Sequence, residues 1–339
     1  MNKTSRTPRF LSAAAGIALF ALAACAPDAS QSLVSDTGLN AVTTVGMIGD
    51  VIANIGGENI AVTTLMGPGV DPHLYRATAQ DIQTLQNADI VFRGGLLLEG
   101  RMGEIFDRLD ESVPVITMTG DIPEDRLLML DAATNYPDPH VWFDVSLWSI
   151  GAQTVAAALT ELDPANAQDY AANAAAYLEK LAALDAYVSE AVSTIPESQR
   201  LMITAHDAFN YFGRRYNIEV TGLQGISTEA EAGVQDVQNL VSLIVEREIP
   251  AIFIESSVPA RTLQAVQEAA QSRGWDVNIP QELFSDAMGD AGTNEGTYIG
   301  MVIHNVATIT TALGGSMPAL PELLANYSDV IARAALPRQ

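Results

Sequence analysis

Cysteine is almost missing from this chain: Cys25 is the only one in 339 residues. That excludes an internal disulfide and any CxxC redox or zinc-ribbon chemistry. Basic residues are scarce as well. Lys and Arg total 17 against 41 Asp and Glu, a formal net charge of -24. A nucleic-acid binder needs cationic surface to displace counterions from phosphates, so nucleic acid is excluded as a partner. Anionic membrane surfaces are disfavoured for the same reason, whereas cationic ligands suit the field. Long apolar runs are few, and the longest covers residues 10–24, short of the roughly 18 residues that span a bilayer. What is present is 48% hydrophobic and 17% charged, too apolar for a disordered chain and long enough for one large domain or two ordinary ones.

That apolar run has the length of a secretory h-region, and Lys3, Arg6 and Arg9 precede it as a basic leader. It ends in Leu22-Ala23-Ala24-Cys25, which resembles a bacterial lipobox; the alternative is ordinary cleavage among the alanines with Cys25 incidental. The expectation is a signal peptide over 1–24, lipidation of Cys25, and a lipid-anchored tether over 25–40.

From residue 41 short apolar runs alternate with helical periodicity, the pattern of parallel α/β units. Strands are expected at 41–45, 60–66, 90–92 and 113–118, then at 201–204, 220–223, 251–255 and 277–279. Between Pro164 and Pro196, Tyr170, Ala174, Tyr177, Leu181, Leu184 and Val188 recur at spacings of three and four. They predict one apolar stripe on a helix of about 30 residues, with a coiled-coil segment as the bland alternative. The expected fold class is therefore α/β, with two lobes, each a mainly parallel sheet flanked by helices, joined by one long rigid helix. The domain reading is a first lobe at 41–163, a linking helix at 164–196, a second lobe at 197–313, and a weakly packed tail at 314–339.

His73, His140, His206 and His304 are the only histidines, and they lie too far apart for any local metal motif. Their positions relative to strands say more, because open α/β sheets bind ligands at the carboxyl ends of their strands. His206 follows 201–204, His73 follows 60–66 after a Gly67-Pro68-Gly69 turn, Glu255 ends 251–255, and Asp286 follows Leu283-Phe284. Two imidazoles of the first half, with an imidazole and a carboxylate of the second, could converge on a cleft between lobes; any one such His alone is more often a hydrogen-bonding loop residue than a ligand.

The segments Gly67-Pro68-Gly69-Val70-Asp71-Pro72-His73-Leu74-Tyr75, Asp138-Pro139-His140-Val141-Trp142-Phe143-Asp144, Thr204-Ala205-His206-Asp207-Ala208-Phe209 and Leu283-Phe284-Ser285-Asp286-Ala287-Met288-Gly289 resemble, in consistent order over 41–312, the solute-binding lipoproteins of zinc and manganese ABC importers. His206 and Gly222-Leu223-Gln224-Gly225-Ile226-Ser227-Thr228 resemble the treponemal TroA-type branch of that family in particular. The resemblance implies two α/β lobes bridged by one helix, no enzymatic activity, and His73, His140, His206 and Asp286 as ligands of a transported Zn²⁺ or Mn²⁺. It implies an ABC permease and its ATPase as partners, a monomer, and an extracytoplasmic place in the bacterial envelope or periplasm, anchored through the N-terminal lipid. Three neutral imidazoles and one carboxylate would leave a divalent ion at net +1, shielded from the acidic surface. Glu255 and Asp144 are candidate acceptors for ligand N–H groups, with Asp207 and Glu99 behind them. The family gives His304 no ligand role, so it reads as structural, and Trp142, Trp148 and Trp275 as core or interface packing.

Two other functions compete. One is a surface adhesin of the same family. The other is a zinc hydrolase with three His ligands and a water, in which Asp286 would be the base. The metal stays open between zinc and manganese. Many zinc relatives carry a His-rich loop where 121–137 has none, and many manganese relatives carry Glu where this chain has His206.

Overall fold

The run LNAVTTV forms β1 (Leu39–Val45), and five consecutive buried residues, 41–45, place it inside a sheet covered on both faces. The computed structural model describes residues 38–109, 111–131 and 136–336. The expected signal peptide, Cys25 and most of the tether lie outside the described residues.

After β1 come α1 (Gly46–Gly56), β2 (Ile60–Met66), α2 (Ala79–Gln86), β3 (Ile90–Arg93), α3 (Gly103–Leu109) and β4 (Val115–Thr117). The strands form one parallel sheet in the order β2-β1-β3-β4, with Ala41 level with Val62 on one side and Ile90 on the other. Thr78 starts α2 through a capping box with Asp81. A short antiparallel pair, β5 (Met129–Asp131) and β6 (Tyr136–Pro137), precedes α4 (Val145–Leu162).

The predicted long helix is α5 (Ala167–Ser193), entered through a 3-10 turn at Pro164–Asn166 and followed by Pro196. Its 27 residues run about 40 Å. Tyr170, Ala174, Tyr177, Leu181, Leu184 and Val188 are all buried on it, joined by Tyr187, Ala191 and Val192. The stripe packs against α1 and α4 of the first lobe. It also packs against α9 (Tyr298–Ala312) of the second.

The second lobe holds β7 (Leu201–His206), α6 (Asn210–Tyr216), β8 (Glu219–Gln224), α7 (Val234–Glu246) and α8 (Arg261–Ser272) ahead of α9. β7 and β8 pair in parallel. The expected strands at 251–255 and 277–279 extend that sheet only as parallel bridges, Thr204 with Phe253, Ala251 with Asn278, and Glu255 with Leu283. Pro280 has no N–H to donate between the last two. The described residues pack as one compact unit.

One expectation is corrected. Residues 314–336 are not a weakly packed tail: Leu324 and Val330 are fully buried, and α10 (Ser328–Ala334) packs on α9. Pro318 and Pro321 break helix locally without freeing the segment, because these apolar side chains still find a surface to cover. Among the described residues, no helix is long and apolar enough to cross a membrane.

Candidate metal centre

β2 delivers the chain to the loop that carries His73, and β7 ends on His206 itself, level with Gln224 of β8. His140 precedes the turn Val141–Phe143 that leads into α4, and Asp286 lies three residues past the Glu255–Leu283 bridge. One donor atom from each of His73, His140, His206 and Asp286 falls within 4.8 Å of all the others. Two residues come from each lobe, and all four are buried.

The spacings carry chemical information. His140 Nε2 lies 3.3 Å from His73 Nε2 and 3.4 Å from His206 Nε2. Asp286 Oδ1 is 3.3 Å from His140 Nε2, and Oδ2 is 3.3 Å from His206 Nε2 and 4.0 Å from His73 Nε2. A tetrahedral ion with bonds of about 2.0–2.1 Å separates its ligand atoms by roughly 3.3–3.4 Å. Among the described residues Asp286 Oδ1 is a buried oxygen with no hydrogen-bond donor, which marks a place where a cation would satisfy it. Ser257 Oγ donates to Oδ2 at 3.1 Å.

The remaining ring nitrogens set the tautomers. Glu255 accepts the His206 backbone N–H at 2.9 Å through Oε1 and faces ring Nδ1 through Oε2, as expected from its place at a strand end. Asp138 does the same for His140, with Oδ1 2.9 Å from the backbone N and 2.7 Å from ring Nδ1. In both contacts the ring Nδ1–H donates to a carboxylate, which leaves Nε2 to face the centre. From His73, Asp71 accepts the backbone N–H, at 2.8 Å, and makes no bond to the ring.

Burial pushes the His73 ring down to about 4, against the pull of Asp286. Burial also works to lower His140, but Asp138 and Asp286 outweigh it and carry the ring up to about 9. For His206 the charges of Glu255 and Asp286 overcome burial and raise it well above the ordinary range. Burial would raise Asp286, yet His206 and His140 hold it well below the usual carboxylate range.

Asp138 was not among the sequence candidates, although Asp71-Pro72-His73 and Asp138-Pro139-His140 spell the same tripeptide. Asp144 is a correction. It accepts from Ser146 and Leu147 N–H at 3.0 and 3.2 Å, so it caps α4 instead of touching a site ring. Glu99 is buried and spends its oxygens on Thr44 Oγ1 and the Gly94 and Gly95 N–H groups, fixing the turn after β3. Asp207 bonds Asn210. His304 is buried in α9, with Nε2 2.9 Å from Glu282 O and its ring against Phe284, apart from the cluster and structural as expected. Trp142 ties the lobes by donating to Ser285 O at 3.0 Å, and Trp148 stacks on Tyr298.

Gly222 matters through its lack of a side chain. A Cβ there would lie 2.5 Å from Asp207 N and 2.6 Å from His206 C. The β8 backbone therefore presses directly on the peptide after His206.

A family model described as zinc-uptake complex component A, periplasmic, matches residues 41–312. The zinc-binding protein TroA of Treponema pallidum (strain Nichols) is 50% identical over 272 residues, 80% of this chain and 88% of that protein. The manganese-binding lipoprotein MntA of Bacillus subtilis (strain 168) is 43% identical over 303 residues, 89% of this chain and 98% of that protein. The solved structure of periplasmic zinc-binding protein TroA from Treponema pallidum matches with a TM-score of 0.79 at 48% identity, covering 81% of this chain and 99% of that one.

Proposed function

The chain belongs to the family of periplasmic zinc-uptake component A, and from that premise we propose that it captures Zn²⁺ or Mn²⁺ between its lobes and hands the ion to an ABC permease. The ligands in this reading are Nε2 of His73, His140 and His206 and the carboxylate of Asp286. The observation that carries it is the convergence of four buried donors within 4.8 Å of one another, with each Asp286 oxygen 3.3 Å from an imidazole nitrogen and Oδ1 left unbonded among the described residues.

The protein acts as a carrier, not an enzyme. A zinc hydrolase keeps one coordination position open beside a general base. Here both oxygens of Asp286 sit 3.3 Å from imidazole nitrogens, the place of a fourth donor. The adhesin reading is not favoured: the relatives above are named for metal binding.

We assign the lobes to 41–163 and 197–313 with the connector at 164–196, and a monomer held at the envelope through a lipid on Cys25. Intact mass of membrane-extracted protein should show loss of residues 1–24 and a gain of acyl mass. The function itself is tested by the metal content of protein purified from native cells. Stoichiometric zinc or manganese in the parent, lost in His73→Ala and His140→Ala, is the expected outcome; a metal-free parent, or variants that keep their metal, would sink it.

A further inference from the structure

Of the four clustered residues, His73 lines a recess of about 580 Å³ whose walls include Leu97, Arg101, Tyr136 and Glu229. His140 and His206 are fully enclosed, while His73 keeps 5% exposure. Any ion held by the four donors thus has its shortest approach to solvent on the His73 side.

Contacts across the cleft differ in kind from place to place. Trp142 with Ser285 O and Tyr211 with Asp138 O are buried bonds that hold the lobes together. Next to His73 the contacts run between two loops. Thr228 Oγ1 donates to Asp71 Oδ2 at 2.5 Å, while Asp71 Oδ1 accepts the His73 backbone N–H at 2.8 Å. A single carboxylate therefore joins the His73 loop of the first lobe to the segment between β8 and α7 of the second. In the adjoining position Arg101 donates to Glu229 Oε1 at 2.9 and 3.0 Å and to Leu74 O at 3.5 Å.

We propose that the Asp71–Thr228 bond, supported by the Arg101–Glu229 pair, is a latch that sets how fast the metal leaves past His73. The proposal rests on the reading of the four residues as ligands. Thr228 is a positioning residue, acting on His73 through Asp71. The two contacts are unequal. Thr228 is 8% exposed, whereas the Arg101 and Glu229 side chains are 33% and 54% exposed. A part-buried hydrogen bond to a carboxylate outweighs a more exposed ion pair.

The test is release of zinc from the loaded protein into excess chelator, followed by stopped flow, beside the association rate. Thr228→Val should release about tenfold faster with association little changed. Thr228→Ala, which deletes the same hydroxyl, should match it, and Thr228→Ser should behave as the parent. Arg101→Glu should speed release less, and combining it with Glu229→Arg should restore the parental rate, a rescue that general destabilisation does not give. A parent that binds neither zinc nor manganese overturns the ligand reading and the latch together. A parent that binds zinc while Thr228→Val and Thr228→Ala release it at the parental rate overturns the latch alone.

Discussion

Glu255 holds His206 at two points, taking the backbone N–H on one carboxylate oxygen at 2.9 Å and facing the ring Nδ1 with the other. The ring is thereby fixed in direction before any ion arrives, with Nδ1–H toward the carboxylate and Nε2 toward the centre. Asp138 grips His140 in the same manner from two residues away.

Glu255→Gln and Asp138→Asn should each weaken zinc binding by roughly ten- to a hundredfold. Asp144→Ala should leave affinity unchanged while lowering fold stability by about 1 kcal/mol, the usual effect of a lost helix cap. Competition titration with a chromophoric chelator, run beside urea unfolding, separates the two classes. Equal affinity losses in all three variants would contradict the assignment.

His206→Glu should lower the preference for zinc over manganese, because it exchanges a nitrogen donor for a hard oxygen. The parent, with three imidazoles and one carboxylate, should favour zinc at equilibrium. Titrating Zn²⁺ against Mn²⁺ on both proteins decides it, and an unchanged ratio would remove His206 from the ligand set.

Much of this was legible in the residues because buried parallel strands read as continuous apolar runs, Ile90-Val91-Phe92 and Leu201-Met202-Ile203 among them. The stripe on α5 was legible through its spacing; strand-end positions marked His73, His206, Glu255 and Asp286 only as candidates, and the set with His140 came from the family resemblance. What escaped was local. Asp144 stands immediately before a helix, where an Asp caps. Asp138 stood in a repeated tripeptide whose two copies turned out to differ, one reaching the ring and one only the backbone. The end of the chain was misjudged because prolines mark breaks in helix and carry no information about whether Leu324 and Val330 find a surface to bury against.

Metal capture should release protons at neutral pH. The His140 ring is raised to about 9 and His206 well above its ordinary range, so both hold protons that a metal must displace. Affinity is therefore expected to rise with pH and to steepen less once pH passes about 9. Calorimetry of zinc binding in buffers of different ionisation enthalpy measures the count directly. A binding enthalpy independent of buffer would contradict it.

Asp50 should give the fold a pH dependence unrelated to the metal. Burial raises its carboxyl to about 6, although the Tyr298 N–H and Tyr177 hydroxyl donate to it at 3.2 and 3.3 Å. Between its ordinary pKa of 3.8 and about 6 the unfolded chain loses this proton while the folded chain keeps it. Stability then falls as pH rises through that window and levels above it, by at most about 3 kcal/mol. Asp50→Asn should lack this component, so the difference in melting temperature between parent and variant should change across the window and be constant outside it.

The stiffness of α5 separates two things that a hinged binder must settle together. In a protein that swings shut, the closing motion and the choice of cargo are tuned as one, because the same contacts govern both. Here a helix packed on both lobes sets the gap in advance. The side chains at 206 and 286 can then be exchanged on a fixed frame, provided Ser285 keeps the carbonyl that Trp142 bonds across the lobes. Under the proposed ligand set, the choice of ion then rests on a few side chains at the end of β7 and in the loops around the cluster, and one frame can serve different ions.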